Sequence, residues 1–212
     1  MSAMLLLDLT RDMVRKAMRA LARLLNALTG GTLTPNMVTI VGLLAHLPIA
    51  YLIATNHLIW AAVLLVIFGL FDALDGELAR LQKRASSAGM LLDASTDRMK
   101  EVMLYTGAAY NIIAQTGRPY LAVWAVVACG ASLCVSYVKA KGETAVRDSD
   151  LTPNQINRLF GDGLLRFEIR MFILIIGLLS GRIALAVIVI AIGSTLTAIG
   201  RLIRITRKLN SV

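Results

Sequence analysis

Cysteine, histidine, aromatic residues and charge are all scarce in this 212-residue chain, and each scarcity closes off a class of protein. The two cysteines, Cys129 and Cys134, stand five apart inside one apolar run, which is no metal-ligand pattern; both are expected as small buried apolar residues. His46 and His57 are isolated from each other and from any ligand cluster, which leaves them structural or interfacial roles. Aromatic residues make up 6% of the chain, and no RNA-binding motif or stacking platform accompanies them, so the net charge of +9 does not point to nucleic acid. Only 17% of residues are charged and 57% are hydrophobic, against about 25% and about 45–50% in soluble domains. There is no internal repeat and no low-complexity tract. The beginning lacks the order of a cleavable signal, because a short apolar start precedes Arg11, Arg15, Lys16, Arg19 and Arg23 rather than following them.

The apolar excess is gathered in long runs. Mean hydropathy is +0.71, and the runs approach the roughly 20 residues that cross a bilayer. The pattern predicts an all-α integral membrane protein, with an N-terminal amphipathic surface helix within 1–31 and a six-helix domain over 32–212. In the first part, Leu5, Leu9, Met13, Ala17, Leu21, Leu24 and Leu28 repeat at helical spacing opposite a basic face, as in a helix lying on a membrane surface. Thr29-Gly30-Gly31 ends that helix, and Pro35 suits the first turn of the next. The six spans are expected near 36–55, 58–80, 89–115, 119–141, 164–180 and 183–206. Residues 142–162 read as a cytoplasmic loop with a short helix after Thr152-Pro153. Basic residues collect on one side, which places both termini and the ends that meet there in the cytoplasm of a cell-membrane protein.

Four aspartates break the apolar pattern. Charge at a membrane helix centre costs about 2.5–3.5 kcal/mol or more, so such groups are paired, solvated or functional. Asp72, Asp75 and Ala79 share one face of the second span, and Asp93 and Asp97 share one face of the third. The short basic link over 81–88 makes these spans antiparallel neighbours, so four carboxylates can converge. Like charges that close call for a cation between them, and all-oxygen ligands favour Mg²⁺ or Mn²⁺ over Zn²⁺. Gly76 and Ala79 leave room beside the acids, and Arg80 supplies a fixed charge suited to phosphate. A lone intramembrane acid could be a satisfied structural group; four on two adjacent faces are not readily explained that way.

The run Asp72-x2-Asp75-Gly76-x2-Ala79-Arg80-x8-Gly89-x3-Asp93-x3-Asp97 resembles the signature of the CDP-alcohol phosphotransferases at every fixed position. The resemblance implies transfer of a phosphatidyl group from CDP-diacylglycerol to a polar alcohol, with release of CMP. It implies that Asp72, Asp75 and Asp93 hold metal, as a pair of Mg²⁺ or Mn²⁺ ions, and that Asp97 is the general base and also touches metal. It further implies contacts to the CDP-lipid from Pro35, Asn36, Met37, Val38 and Thr39 at the start of the first span, and from Gly76, Ala79, Arg80 and Ser86. A homodimer is implied in the same way.

The signature leaves the alcohol open. Asp93-Ala94-Ser95-Thr96-Asp97-Arg98 and Ser136-Tyr137-Val138-Lys139-Ala140-Lys141 resemble the prokaryotic branch of the family that uses inositol 1-phosphate, with Lys141 standing where arginine is usual. Such an acceptor needs a second anion site, for which Ser136, Lys139, Lys141, Arg166 and Arg201 are candidates. Arg166 and Arg170 resemble a following Arg-rich segment, at a spacing of four rather than three. Topology alone also places basic residues at cytoplasmic helix ends, and glycerol 3-phosphate or another alcohol remains an alternative acceptor. A transporter is the non-enzyme alternative, but it predicts polar residues through both leaflets rather than a cluster near one face.

Overall fold

The structure, a computed structural model, describes residues 3–146 and 165–210, with side chains from residue 13 onward in the first stretch and to residue 145. Every regular element among the described residues is a helix: α1 (Ala3–Leu28), α2 (Pro35–Ala54), α3 (Leu58–Gly69), α4 (Phe71–Leu81), α5 (Ser87–Thr116), α6 (Pro119–Val146), α7 (Phe167–Leu179) and α8 (Ile183–Leu209). Four runs are long and apolar enough to cross a membrane: Pro35–Ala54, Leu58–Leu81, Pro119–Ala145 and Ile183–Leu209. The chain is therefore a multi-pass membrane protein. Of the two other expected spans, α5 is 30 residues long but carries the acids and bases of the site, and α7 has 13 residues, about 20 Å of helix. The expected loop over 142–162 begins later than the polar composition suggested, because residues 142–146 continue α6. The rest of that loop, with the helix expected after Thr152-Pro153, lies outside the described residues.

The chain divides into two units. The first comprises Met1–Ile49 with Val63–Lys100, the second Ala50–Ala62 with Glu101–Val212.

In the first unit, α1 packs against α4 through a small apolar core. Ala22 of α1 is buried with Val38, Leu74 and Leu78, and Met18, Leu25, Leu33 and Phe71 close around them. This packing face is not the stripe read from the sequence. Met13, Ala17, Leu21, Leu24 and Leu28 lie about 100° further round the helix, and Met13, Leu24 and Leu28 are more than half exposed. The helix thus has three faces: one to the protein, one apolar and open, one basic. Its end is a Schellman turn, with Gly30 and Gly31 at positive φ and the Gly31 N–H donating to the Asn26 carbonyl. Gln82 fastens α1 to the end of α4, donating to Asn26 Oδ1 and to the Leu33 carbonyl, each at 2.8 Å.

Between α3 and α4 a single residue, Leu70, interrupts the helix (φ −77°, ψ −13°). The amides of Leu70 and Ala73 take i−3 carbonyls there, a local tightening immediately before the first aspartate. After α4 the chain turns sharply. Lys83 adopts a left-handed conformation (φ 53°), and the Arg84 N–H reaches back to the Ala79 carbonyl. Ser86 then caps α5, its Oγ accepting the Gly89 N–H at 3.1 Å.

In the second unit α6 packs along α8 and α7 packs on α8. Small buried residues allow the approach: Ala125, Ala128 and Ser132 on α6, and Ala191, Ser194 and Ala198 on α8. Val126, Leu185 and Leu196 point outward, more than half exposed, as expected of residues facing lipid. The cysteines depart from expectation. Cys129 is half-buried, but Cys134 is exposed, because it shares a face of α6 with Val127, Gly130 and Tyr137, which face outward. His46, in the first unit, is buried against the Gly42 carbonyl at 2.7 Å, and His57, in the second, sits exposed in the α2–α3 turn.

Among the described glycines of the second unit, Gly107 is the one whose added side chain would meet backbone at under 3 Å. A Cβ on Gly107 would press on the backbone carbonyl of Ala50. Gly107→Ala is expected to cost about 1–3 kcal/mol, since backbone must move to admit the methyl group. Thermal unfolding of the purified protein in detergent checks this; an unchanged midpoint would mean that the two helices separate freely there.

Candidate active site

Two helices of the first unit deliver the acids. On α4, Asp72 and Asp75 are one turn apart, and on α5 Asp93 and Asp97 repeat that arrangement. Asp72, Asp75 and Asp93 each bring a carboxylate oxygen to within 4.8 Å of the others. Asp75 is buried, and Asp72 and Asp93 are partly buried. Asp97 is not part of that trio. Its Oδ1 accepts from Lys100 at 3.1 Å and its Oδ2 lies 3.7 Å from Arg98.

The remaining partners fix the acids in place. Thr39, one turn into α2, donates its hydroxyl to Asp75 Oδ2 at 2.6 Å, with the Pro35 carbonyl as alternative acceptor at 3.1 Å. Lys100, 2% exposed, donates to Asp72 Oδ1 at 2.6 Å as well as to Asp97. Asp93 Oδ1 is buried and has no hydrogen-bond partner among the described residues. A bare carboxylate oxygen of this kind is costly unless a cation meets it. Three converging carboxylates, one with an orphaned oxygen, fit a hard divalent cation such as Mg²⁺ or Mn²⁺.

Beside the trio lies a cavity of about 450 Å³. Asp75 and Asp93 form part of its wall, together with Pro35, Asn36 and Thr39 of α2, Gly76, Ala79 and Arg80 of α4, and Ser86 and Gly89. Gly89 matters by what it lacks, since a Cβ there would press on Ser86 Oγ at 3.3 Å and come into ordinary contact with Asn36 Oδ1 at 3.6 Å. Two of the expected contact residues stand elsewhere: Val38 is buried in the core under α1, and Met37 is exposed and outside the cavity lining. The reason is helical phase, because Pro35, Asn36 and Thr39 share a face that residues 37 and 38 do not.

Two residues of the site carried no sequence expectation. Lys100 is one. The other is Glu77, 5% exposed, which accepts from Arg80 Nη1 at 2.5 Å and from Arg19 Nε at 3.3 Å. It ties the cavity arginine to α1. The available signal was its position, i+5 from Asp72 and i−3 from Arg80, a charged residue on a face that packs against apolar neighbours.

The expected acceptor residues all belong to the second unit. Arg201 is 3% exposed and donates to the Val135 carbonyl at 3.0 Å, next to half-buried Ser136, whose hydroxyl donates to the Ser132 carbonyl. Among the described residues, the bases Arg204, Arg170 and Arg166 and the acid Glu143 lie within electrostatic range of Arg201. Arg166 is exposed at the start of α7. Lys139 and Lys141 are exposed, and Lys139 lies 3.8 Å from Glu143. Arg170 is committed to a buried ion pair with Glu101 at 2.8 Å.

Residues 32–200 match the family model described as CDP-alcohol phosphatidyltransferase. The chain is 34% identical over 178 residues to a phosphatidylinositol phosphate synthase of Corynebacterium glutamicum, covering 80% of this chain and 76% of the relative. It is 28% identical to an archaetidylinositol phosphate synthase of Pyrococcus horikoshii over 92% of this chain and 95% of the relative. Among solved structures it resembles Mycobacterium tuberculosis phosphatidylinositol phosphate synthase with CDP-DAG bound, with a TM-score of 0.75 and 26% identity over 90% of this chain and 94% of the other. The same enzyme in complex with manganese and citrate matches with a TM-score of 0.74 and 26% identity, over 89% and 88% of the two chains.

Proposed function

The chain belongs to the CDP-alcohol phosphatidyltransferase family, a metal-dependent membrane enzyme of phospholipid synthesis, and from that premise we propose that it transfers a phosphatidyl group from CDP-diacylglycerol to inositol 1-phosphate. The observation that carries this reading is the convergence of Asp72, Asp75 and Asp93, two of which, Asp75 and Asp93, stand in the wall of the cavity that Pro35, Asn36, Thr39, Gly76, Ala79, Arg80 and Ser86 also line. The names of the relatives, phosphatidylinositol phosphate synthases, support the acceptor.

In this reading Asp72, Asp75 and Asp93 hold two divalent ions, Mg²⁺ or Mn²⁺, with Asp97 at the edge of the set. When bound, the ions would offset the negative charge that builds on departing CMP. The residues of the chain do the rest. Asn36, Gly76 and Ser86 give the nucleotide its polar and close contacts, and Arg80, held by Glu77, faces its phosphate charge. Asp97 takes the proton from the acceptor hydroxyl as the oxygen attacks phosphorus. Ser136, Lys139, Lys141, Arg166 and Arg201 supply the anion site for the acceptor's own phosphate; the burial of the Arg201 guanidinium beside Ser136 supports that assignment. The site opens to the cytoplasm beneath six membrane helices, both termini are cytoplasmic, α1 rests its open apolar face on the membrane surface, and the enzyme works as a homodimer.

Purified protein incubated with CDP-diacylglycerol and Mg²⁺ or Mn²⁺ should release CMP with inositol 1-phosphate. Glycerol 3-phosphate, free inositol, serine and choline complete the panel. Faster release with glycerol 3-phosphate would replace the acceptor, and no metal-dependent release with any acceptor would end the enzyme reading. Glu77→Gln, which loosens the grip on Arg80, is expected to raise the KM for CDP-diacylglycerol about tenfold while leaving that for the acceptor within about twofold. Equal increases in both would detach Glu77 from the nucleotide side.

A further inference from the structure

Lys100 lies where the family signature has no fixed residue, and it is the buried cation of the acid cluster. Its side chain is 2% exposed, and its ammonium is within hydrogen-bond distance of carboxylates from two helices, Asp72 at 2.6 Å and Asp97 at 3.1 Å. Asp93, Asp97 and Lys100 recur at i, i+4 and i+7, so all three point from one face of α5. Asp72 is thereby shared: one of its oxygens is in the trio with Asp75 and Asp93, and its Oδ1 receives the ammonium.

We propose that Lys100 is an internal counter-ion that occupies the Asp72–Asp97 side of the cluster and competes there with a divalent cation. The inference rests on the reading that Asp72, Asp75 and Asp93 hold metal. Charge balance argues for it. Four ionised carboxylates carry four negative charges, and Lys100 with the Arg98 guanidinium, 3.7 Å from Asp97, supplies two positive ones, so one divalent ion balances the cluster and a second leaves an excess of two. A second ion therefore meets Lys100 as a rival for the same oxygens and as a like charge a few ångströms away. The same contact has a use when no metal is present. It keeps Asp72 and Asp97 from repelling each other and holds Asp97 in a single orientation, which makes Lys100 a positioning residue for the proton transfer.

The test is a Mn²⁺ titration of the detergent-solubilised protein without substrate, read from the magnetic resonance signal of free Mn²⁺. Wild type is expected to bind one ion tightly and a second at least about tenfold more weakly. Lys100→Met should tighten the second step about tenfold or more and leave the first in place, while Lys100→Arg should keep the wild-type gap. A buried acid cluster stripped of its cation can unfold, so Lys100→Gln is titrated alongside; its side chain is one bond shorter but still offers two N–H donors to the acids without the charge, and it should tighten the second step in the same way. A second step that is unchanged or weaker in both neutral variants overturns the role given to Lys100. No Mn²⁺ binding by wild type or any variant would instead overturn the metal reading on which it depends.

Discussion

Asp93→Asn is expected to lower metal-dependent transfer by about 10³-fold or more and to weaken metal binding in parallel. Asp93 closes the trio from the α5 side, and one of its oxygens is buried with no partner among the described residues. Asparagine has nearly the same shape but no charge. It would leave the cation facing two carboxylates rather than three, and stabilisation of charge at the reacting centre is usually the largest single contribution to such a rate. The fold should survive, because removing a like charge from the cluster relieves repulsion. The decisive comparison is Mn²⁺ affinity and CMP release measured on the same preparation. Wild-type affinity with lost activity would make Asp93 a contact to substrate instead, and wild-type values of both would remove it from the site.

Asp97→Asn is expected to behave differently. Transfer should fall by about 10²–10⁴-fold, the range typical of a lost general base, while binding of CDP-diacylglycerol and of the first metal ion stays close to wild type. The separation follows from geometry, since Asp97 stands outside the trio and its carboxylate is engaged by Lys100 and Arg98. An amide can still accept a hydrogen bond from Lys100, so its placement is preserved and its capacity to take a proton is lost. Equilibrium binding of CDP-diacylglycerol, set beside single-turnover rates, distinguishes the two variants. Wild-type turnover in Asp97→Asn would refute its role as base.

These two residues also show what could be read from the amino-acid order and what could not. Helical spacing put Asp72 and Asp75 on one face and Asp93 and Asp97 on another, and a short link made those faces neighbours, so convergence was legible before any coordinates. The finer arrangement, three acids together and a lysine bridging one of them to the fourth, was not. It depends on where a long, flexible side chain at Lys100 comes to rest, and spacing does not report that. Glu77 was missed for a related reason: a glutamate near two arginines reads as a surface residue until burial is known. On α1 the repeat of Leu21, Leu24 and Leu28 was visible, but its packing face, centred on Ala22, was not, because a small residue carries little hydrophobic signal. The cavity wall contributed by Pro35, Asn36 and Thr39 was located by resemblance, and only the phase of α2 excludes Met37 and Val38. The cations of the second unit stayed ambiguous, since topology and anion binding call for the same residues at the same helix ends.

The turn between Leu81 and Ser87 has a consequence of its own. Five residues separate the two acid-bearing helices, and their path is held by left-handed Lys83, the Arg84 amide and the Ser86 cap. Each residue of an α-helix advances about 100° around its axis. A single insertion in this link would have to be absorbed by the turn or would swing Asp93 a quarter-circle away from Asp72 and Asp75. The link acts as a phase setting, in which chain length itself is a catalytic parameter. Substitutions there can be many, but changes in its length should be rare among functional variants of this protein.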